Sequence, residues 1–360
     1  MASNKAPPGP GRLRGRGRGD GPHGVRGGKS GRAAADSRQK ERTDRNDLQR
    51  QRLLDKYADI EPDGLILCMY GSHADAVFAD GKVRFCLLTP KVHKLFGLCV
   101  GDRVYTKRGA TDDERIVVAR DLRRTELRRK RGEEDRTGHV IAANVDQLAI
   151  TASLREPPLR TGAIDRYLLL ASVLNLEPII VLTKMDMCPA EDPGWEVLIP
   201  YSELEIPLLP TSAVTGEGIE ELLESLEGKV TAFAGHSGVG KSALCQALGL
   251  DGAMEVGDLS RSSGRVRGRH TTSVARLLPL PGSGFVVDTP GVRAIGLVDV
   301  KRHDVGVHFP EFAEYAAKCQ FADCLHAEEE GCAVWAAASE EDISPERFDS
   351  YLRLIESIDD

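Results

Sequence analysis

Residues 235–242 read Gly-His-Ser-Gly-Val-Gly-Lys-Ser, a G-x-x-x-x-G-K-[ST] pattern set between an apolar run at Val230–Ala234 and a helix-like one at Ser242–Leu248. Strand, glycine-rich turn and helix in that order make a phosphate cradle. Gly235, Gly238 and Gly240 let the backbone curl, so that the N–H groups around His236, Ser237 and Val239 point inward at a phosphate chain. The helix that follows adds the positive end of its dipole. Lys241 is the residue that reaches the β and γ phosphates of a nucleotide, and Ser242, with Ala243 behind it, is placed to hold magnesium. A second G-K-S at Gly28–Ser30 is discarded, because His23 stands where the first glycine belongs and no strand precedes it.

Working outward, the chain around the cradle alternates apolar strands with helical periods. Val145–Thr151, Pro178–Thr183 and Leu208–Ser212 read as strands, and Ile164, Tyr167, Leu168, Ala171 and Leu174 mark one face of an intervening helix. A further helix at Ile219–Leu226 leads to the strand before the cradle, which together predict a doubly wound α/β sheet. Four short motifs sit mostly at strand ends: T-K-x-D at Thr183, Lys184 and Asp186; T-S-A at Thr211, Ser212 and Ala213; G-R-H-T-T-S at Gly268–Ser273; and D-x-x-G at Asp288–Gly291. Each is weak alone, but together with a phosphate cradle they define a nucleotide site. Asp186 can accept from both the N1–H and the 2-amino group of guanine, neither of which adenine has, so an adenine nucleotide would leave the carboxylate unpaired. Lys184 is placed along the base, the Ala213 N–H meets guanine O6, and Asp288 reaches magnesium through water. A hydroxyl of the Thr271–Thr272 pair, with Thr272 the expected ligand, completes the metal shell only while the γ-phosphate is present.

The regions on either side differ in character. Between Asp63 and Arg120 about five short segments alternate with period two, separated by turn signals, which fits a small all-β barrel of the OB type; periodicity does not separate it from an SH3-like barrel. The arginine-rich stretch Arg123–Arg136 reads as either an RNA-contacting loop or a solvated hinge. Residues 1–32 carry eight Lys or Arg against one Asp, so their charge is +7 and the rest of this −7 chain carries −14. Such a Gly- and Pro-rich basic arm cannot bury a core and points to a polyanion partner, RNA in preference to a membrane. No apolar run is long enough to span a bilayer, and the N-terminus has no secretion-signal core, so the chain is expected to be cytoplasmic. Eight cysteines in such a chain argue against a disulfide framework. Three of them, Cys319, Cys324 and Cys332, stand with His326 in the pattern C-x4-C-x-H-x5-C, sufficient to close one tetrahedral structural zinc site. A last helix opens with Ser344 and Pro345 and turns Phe348, Tyr351, Leu352 and Ile355 inward.

In most GTPases the phosphate loop comes first and the guanine-reading motif last; here the order is reversed, which predicts a circularly permuted domain. That order, the preceding barrel, and the runs GHSGVGKSAL (235–244), GRHTTS (268–273) and DTPGVRAIGL (288–297) resemble the ribosome small-subunit-dependent GTPase A family, as do IAANVDQLAI (141–150) and IDRYLLLAS (164–172). The resemblance runs from about Asp63 to the C-terminus and excludes the basic tail. It implies GTP hydrolysis during late maturation of the 30S subunit, stimulated by that subunit, with 16S rRNA as a contact and the cysteine cluster as a zinc module. It also implies that His270 orients the attacking water, since Val292 occupies the position where many GTPases place glutamine. One departure is Thr183, where the family usually has Asn, from which weaker guanine affinity is expected. The expected division is a tail and linker at 1–62, the OB-type barrel at 63–121, a charged linker at 122–140, the permuted GTPase domain at 141–300 and a helical zinc module at 301–360, in a monomeric protein. The rival reading is an RNA-binding assembly factor or chaperone in which GTP is a structural ligand without turnover.

Overall fold

The computed structural model describes residues 45–129, 138–250, 275–288 and 300–358. Five strands, β1 (Gly64–Tyr70), β2 (His73–Phe78), β3 (Val83–Leu88), β4 (Arg103–Arg108) and β5 (Glu114–Arg120), follow the alternating segments of the sequence. They pair in the order β1-β2-β3-β5-β4, and β4 returns to β1 to close the barrel. The β3–β5 pairing is parallel, which requires a crossover between them. That crossover carries a helix, Pro90–Phe96, started by Thr89, whose Oγ1 accepts from the Val92 N–H, and by proline in its first turn. Val92, Leu95 and Phe96 of this helix plug one end of the barrel core. A strand order of this kind with a helix after β3 fits the OB type. Helical residues 50–57, inside the stretch the composition assigns to a linker, lay Leu53, Leu54 and Tyr57 on the same core, with Tyr57 stacked on Tyr105 at 4.7 Å.

The arginine-rich stretch is in part neither a loop nor a hinge. Strand β6 (Glu126–Arg129) lies within it and pairs antiparallel with β7 (His139–Ala143), while residues 130–136 of the stretch lie outside the described residues. Arg123 is buried and grips the fully buried Asp102 with two hydrogen bonds, Nε to Oδ1 at 2.7 Å and Nη2 to Oδ2 at 2.9 Å. Its role is to tie this strand pair to the barrel, a use of arginine that charge density cannot distinguish from RNA contact.

The second half of the sheet comprises β8 (Gln147–Ser153), β9 (Glu177–Thr183), β10 (Leu208–Pro210), β11 (Val230–Ala234), β12 (Arg276–Pro279) and β13 (Phe285–Asp288). The order β10-β9-β8-β11-β13 is parallel throughout, and β12 pairs antiparallel on β13. β12 also meets β1 through Cys68 and Arg276, so barrel and α/β region share one sheet of eleven strands. β8 is buried along its whole length, as a central parallel strand must be. The phosphate-loop strand β11 lies in the middle, flanked by an earlier strand, β8, and a later one, β13, which is the topology of a permuted chain.

Helix Thr161–Val173 covers one face of this sheet and is itself covered by helix Pro345–Glu356. Being packed on two sides, it buries Leu169 and Leu170 in addition to the expected Ile164 and Ala171, leaving Tyr167, Leu168 and Leu174 half-buried. The C-terminal helix opens as expected, with the Ser344 Oγ accepting from the Arg347 N–H at 3.3 Å, and it buries Leu354 with Phe348, Tyr351 and Ile355 while Leu352 is half-buried. All eight cysteines are free thiols. No helix among the described residues is long and apolar enough to cross a membrane.

Candidate nucleotide site and metal centre

The loop after β11 is shaped by backbone geometry that only glycine tolerates. Gly235 has φ 145°, and a Cβ there would meet the Thr151 carbonyl oxygen at 2.3 Å, so the loop packs directly on β8. Gly238 and Gly240 have φ 82° and 96°, and helix Lys241–Ala247 starts immediately behind. The Lys241 ammonium folds back over the loop and donates to the carbonyls of Gly235 and His236, each at 2.6 Å. A cation already poised over a concave glycine backbone is a donor set that fits a polyphosphate. His236, Ser237 and Gly238 are exposed and Val239 is buried beneath them.

The T-K-x-D and T-S-A segments come to the same edge of the sheet, at the ends of β9 and β10. Asp186 is exposed, and its Oδ1 accepts from the Ser212 hydroxyl at 2.6 Å; the same Ser212 oxygen accepts from the N–H groups of Val214 and Thr215. Thus the T-S-A turn orients the carboxylate while its own backbone is held by the same side chain. Lys184 adopts a left-handed backbone, φ 61°, and its Nζ donates to the Glu156 carbonyl at 2.6 Å, running past Gly240 of the loop.

Thr183 is buried and touches the loop. Its hydroxyl lies 3.0 Å from the Ala152 carbonyl and also hydrogen-bonds to the carbonyl of Val239. The residue in the usual asparagine position therefore joins β9 to β8 and to the phosphate loop. Asp288 ends β13 at this edge, half-buried. His270, Thr271, Thr272 and Gly291 lie outside the described residues.

The four metal-ligating candidates come together. Sγ of Cys319, Cys324 and Cys332 and a ring nitrogen of His326 all lie within 4.8 Å of one another. The Nδ1 atom of His326 faces the sulfurs, 3.5 Å from Cys319 and 3.6 Å from Cys332. His326 itself has φ 55°, and the backbone that carries it is pinned by Glu329, whose carboxylate accepts from the N–H groups of Leu325 at 2.9 Å and Ala327 at 2.8 Å. Cys332 doubles as the N-cap of helix Ala333–Ser339, its sulfur accepting from the Trp335 N–H at 3.3 Å. Burial pushes the Cys324 thiol up to about 12 and holds the His326 imidazole below its ordinary value. The imidazole is thus neutral and ready to coordinate, and metal loading displaces thiol protons. Three sulfurs and one nitrogen at this spacing suit a closed tetrahedral site.

Comparison with known proteins agrees with this geometry. A family model described as RsgA GTPase matches residues 121–298. The small ribosomal subunit biogenesis GTPase RsgA of Dickeya dadantii is 39% identical over 82% of this chain and 84% of its own length. The protein of that name from Shewanella oneidensis is 36% identical over 88% of this chain and 89% of its own.

The chain belongs to the RsgA GTPase family.

Among solved structures, YjeQ from Thermotoga maritima superimposes on this RsgA-family chain with a TM-score of 0.68 at 30% identity, covering 83% of this chain and 98% of that one. YloQ, described as a circularly permuted GTPase, gives 0.65 at 26% identity, over 83% and 95%. This RsgA-family protein is a GTP-hydrolysing enzyme, with a permuted GTPase fold, a closed five-stranded barrel and a C-terminal Cys3His cluster.

Sequence reasoning missed a buried ionic cluster behind the site. Arg347 of the C-terminal helix donates through Nη1 to Asp165 Oδ1 at 2.6 Å and through Nε to Glu311 Oε1 at 2.8 Å, and the Tyr201 hydroxyl donates to the same Asp165 oxygen at 2.8 Å. The available signal was a carboxylate, Asp165, beside the apolar face of an otherwise buried helix.

Proposed function

We propose that this chain hydrolyses GTP on the small ribosomal subunit during its biogenesis and is stimulated by that subunit. The observation that carries the reading is the convergence of the phosphate loop, the Thr183–Asp186 segment, the Ser212 turn and Asp288 on one edge of a single sheet, within a family whose relatives are named for small-subunit biogenesis. In this reading Gly235–Ala243 cradle the phosphates, with Lys241 on the β and γ groups; Asp186 reads guanine with Lys184 along the base and the Ala213 N–H toward O6; Thr183 supports the loop. Ser242 and Thr272 would hold magnesium, Asp288 would reach it through water, and Gly291 and Thr271 would complete the γ-phosphate shell. Magnesium supplies neutralisation of charge on the phosphates. His270 would orient the attacking water, because Val292 cannot. The metal held by Cys319, Cys324, His326 and Cys332 is zinc, in a structural role. The protein works in the cytoplasm as a monomer and contacts 16S rRNA, the barrel being of a type that suits RNA.

The test is GTP turnover with purified 30S subunits, with 50S subunits and with neither. Stimulation by 30S alone is expected; equal rates in all three would refute the assignment. For the base, Asp186→Asn should weaken GTP and favour a xanthine nucleotide, whose 2-oxo group suits an amide donor.

A further inference from the structure

The chain leaves β8 through Ser153-Leu154-Arg155-Glu156-Pro157-Pro158 before it enters helix Thr161–Val173. The Ser153 hydroxyl accepts from the Glu156 N–H at 3.2 Å, and the paired prolines restrict the backbone that follows. The Glu156 carbonyl is thereby presented to the Lys184 ammonium, which donates to it at 2.6 Å. The stem of Lys184 runs against the phosphate loop, with its Cε 3.7 Å from where a Cβ on Gly240 would stand. A lysine whose tip is held on a backbone carbonyl offers its methylene stem as a fixed apolar rail, whereas one left in water keeps its rotamer freedom. Whatever holds the Glu156 carbonyl therefore sets where Lys184 lies.

That support comes from the far end of the T-K-x-D segment. Arg155 donates through Nε to Oδ2 of the buried Asp192, and the Asp192 Oδ1 accepts from the Gly194 N–H at 2.8 Å. Gly194 seats on the buried Leu154: a Cβ there would meet Leu154 Cδ2 at 3.2 Å. Residues 154–156 and 192–194 thus close on each other, with an apolar contact within and the half-exposed Arg155 forming the ion pair on the outside.

We propose that Arg155 is a positioning residue of the nucleotide site: through Asp192 it fixes the turn whose Glu156 carbonyl holds Lys184 along the guanine base. The proposal rests on the reading of Lys184 as the side chain that lies along the base. Without the ion pair the turn gains freedom, and the turn and Lys184 must then be ordered when the nucleotide binds, so the loss appears as affinity. GDP and GTP carry the same base and should weaken by the same factor, with KM for GTP raised and kcat unchanged.

The experiment is equilibrium binding of a fluorescent GDP analogue to the full-length wild type, Arg155→Ala, Arg155→Lys, Asp192→Asn, Lys184→Ala and the double variant Arg155→Ala/Lys184→Ala, with melting temperatures recorded alongside. Arg155→Ala should weaken GDP roughly 2- to 5-fold, the range of a partly exposed ion pair. Asp192→Asn, which keeps an oxygen to accept from Gly194, should match it, and Arg155→Lys should recover most of the loss. Lys184→Ala should weaken GDP on the order of 10-fold, and adding Arg155→Ala to it should cost nothing further, because Arg155 acts through the lysine. A merely structural ion pair would lower the melting temperature and leave GDP affinity alone. If Lys184→Ala leaves the affinity unchanged, the reading of Lys184 falls and the proposal with it. If Lys184→Ala weakens GDP while Arg155→Ala does not, or if the two losses add in the double variant, the positioning role is refuted and the site reading stands. Should Arg155→Ala fail to fold, Asp192→Asn decides in its place, and an unchanged GDP affinity there overturns the proposal.

Discussion

The phosphate loop takes its shape from backbone atoms brought together by strands far apart in the sequence, whereas the Cys3His cluster takes its shape from four side chains within residues 319–332. The loop rests on Thr151 of β8, is tied by Thr183 of β9 and has Lys241 folded over it. Removing one side chain there changes chemistry more than shape. In the metal cluster the side chains are the shape: His326 stands in a left-handed turn held by Glu329, and Tyr351 reaches in to donate to the Leu325 carbonyl. A site built by topology and a site built by ligands should therefore fail differently when a single residue is changed.

The largest expected effect breaks the metal side. Cys324→Ser should lose the metal and open the 319–332 segment, because structural zinc contributes folding free energy outright, on the order of 10 kcal/mol in zinc-finger peptides. Metal content and proteolysis within that segment report it. Binding of a fluorescent GDP analogue should stay within about twofold of wild type, since the nucleotide edge shares no residue with the cluster, so a large loss of nucleotide affinity would show that the two regions are not independent.

Next in size is the seam between them. Arg347 and Asp165 are buried with Glu311 half-buried against them, and Arg347→Ala strands both carboxylates, which costs about 3–5 kcal/mol. Thermal unfolding should register that loss. Asp165 lies on the helix whose Ala163, Ile164 and Tyr167 line a cavity of about 170 Å³ beside the phosphate loop, so this variant also asks whether damage at the seam travels to nucleotide binding. Unchanged GDP affinity in a destabilised protein is the expected result.

Lys241→Ala should leave the fold and the melting temperature near wild type while lowering GTP turnover on the order of 10²- to 10³-fold, by analogy with loss of one preorganised charge-stabilising donor. Single-turnover hydrolysis in the presence of 30S subunits measures it. A comparable loss of thermal stability would mean that the loop depends on this side chain for its shape, contrary to the contrast drawn above.

The same contrast explains what was legible in the sequence. Period-two alternation gave five barrel strands close to their true bounds, and the phosphate loop and metal ligands could be read because their residues are contiguous or closely spaced. The crossover helix Pro90–Phe96 was not read, since seven residues with three buried positions make little periodic signal, although Thr89, Pro90 and Gly97 mark its ends. Arg123 was weighed as an RNA contact or hinge because its partner Asp102 is distant in sequence and close only in the fold. Arg347 and Asp165 escaped for that reason too: composition shows a charge, and only topology supplies its partner.

The smallest effect concerns Thr183, from which the sequence suggested weak guanine binding. The structure moves the question from the base to the loop. The Thr183 hydroxyl lies within hydrogen-bonding reach of two carbonyls, those of Ala152 and Val239, but a hydroxyl has one proton and can satisfy only one of them at a time. Thr183→Val keeps the shape and removes the donor, which should cost about 1 kcal/mol, or roughly fivefold in affinity. On the proposed reading the loop carries the β-phosphate of GTP and GDP alike, so both should weaken equally, with kcat and the preference for guanine over xanthine unchanged. Thr183→Asn offers two N–H donors to the same two carbonyls and should bind both nucleotides at least as tightly as wild type. Nucleotide affinities of the two variants, measured side by side, separate the roles: a change in base preference with Val would return Thr183 to the guanine pocket, and no change in any affinity would mean that the hydroxyl does not hold the loop.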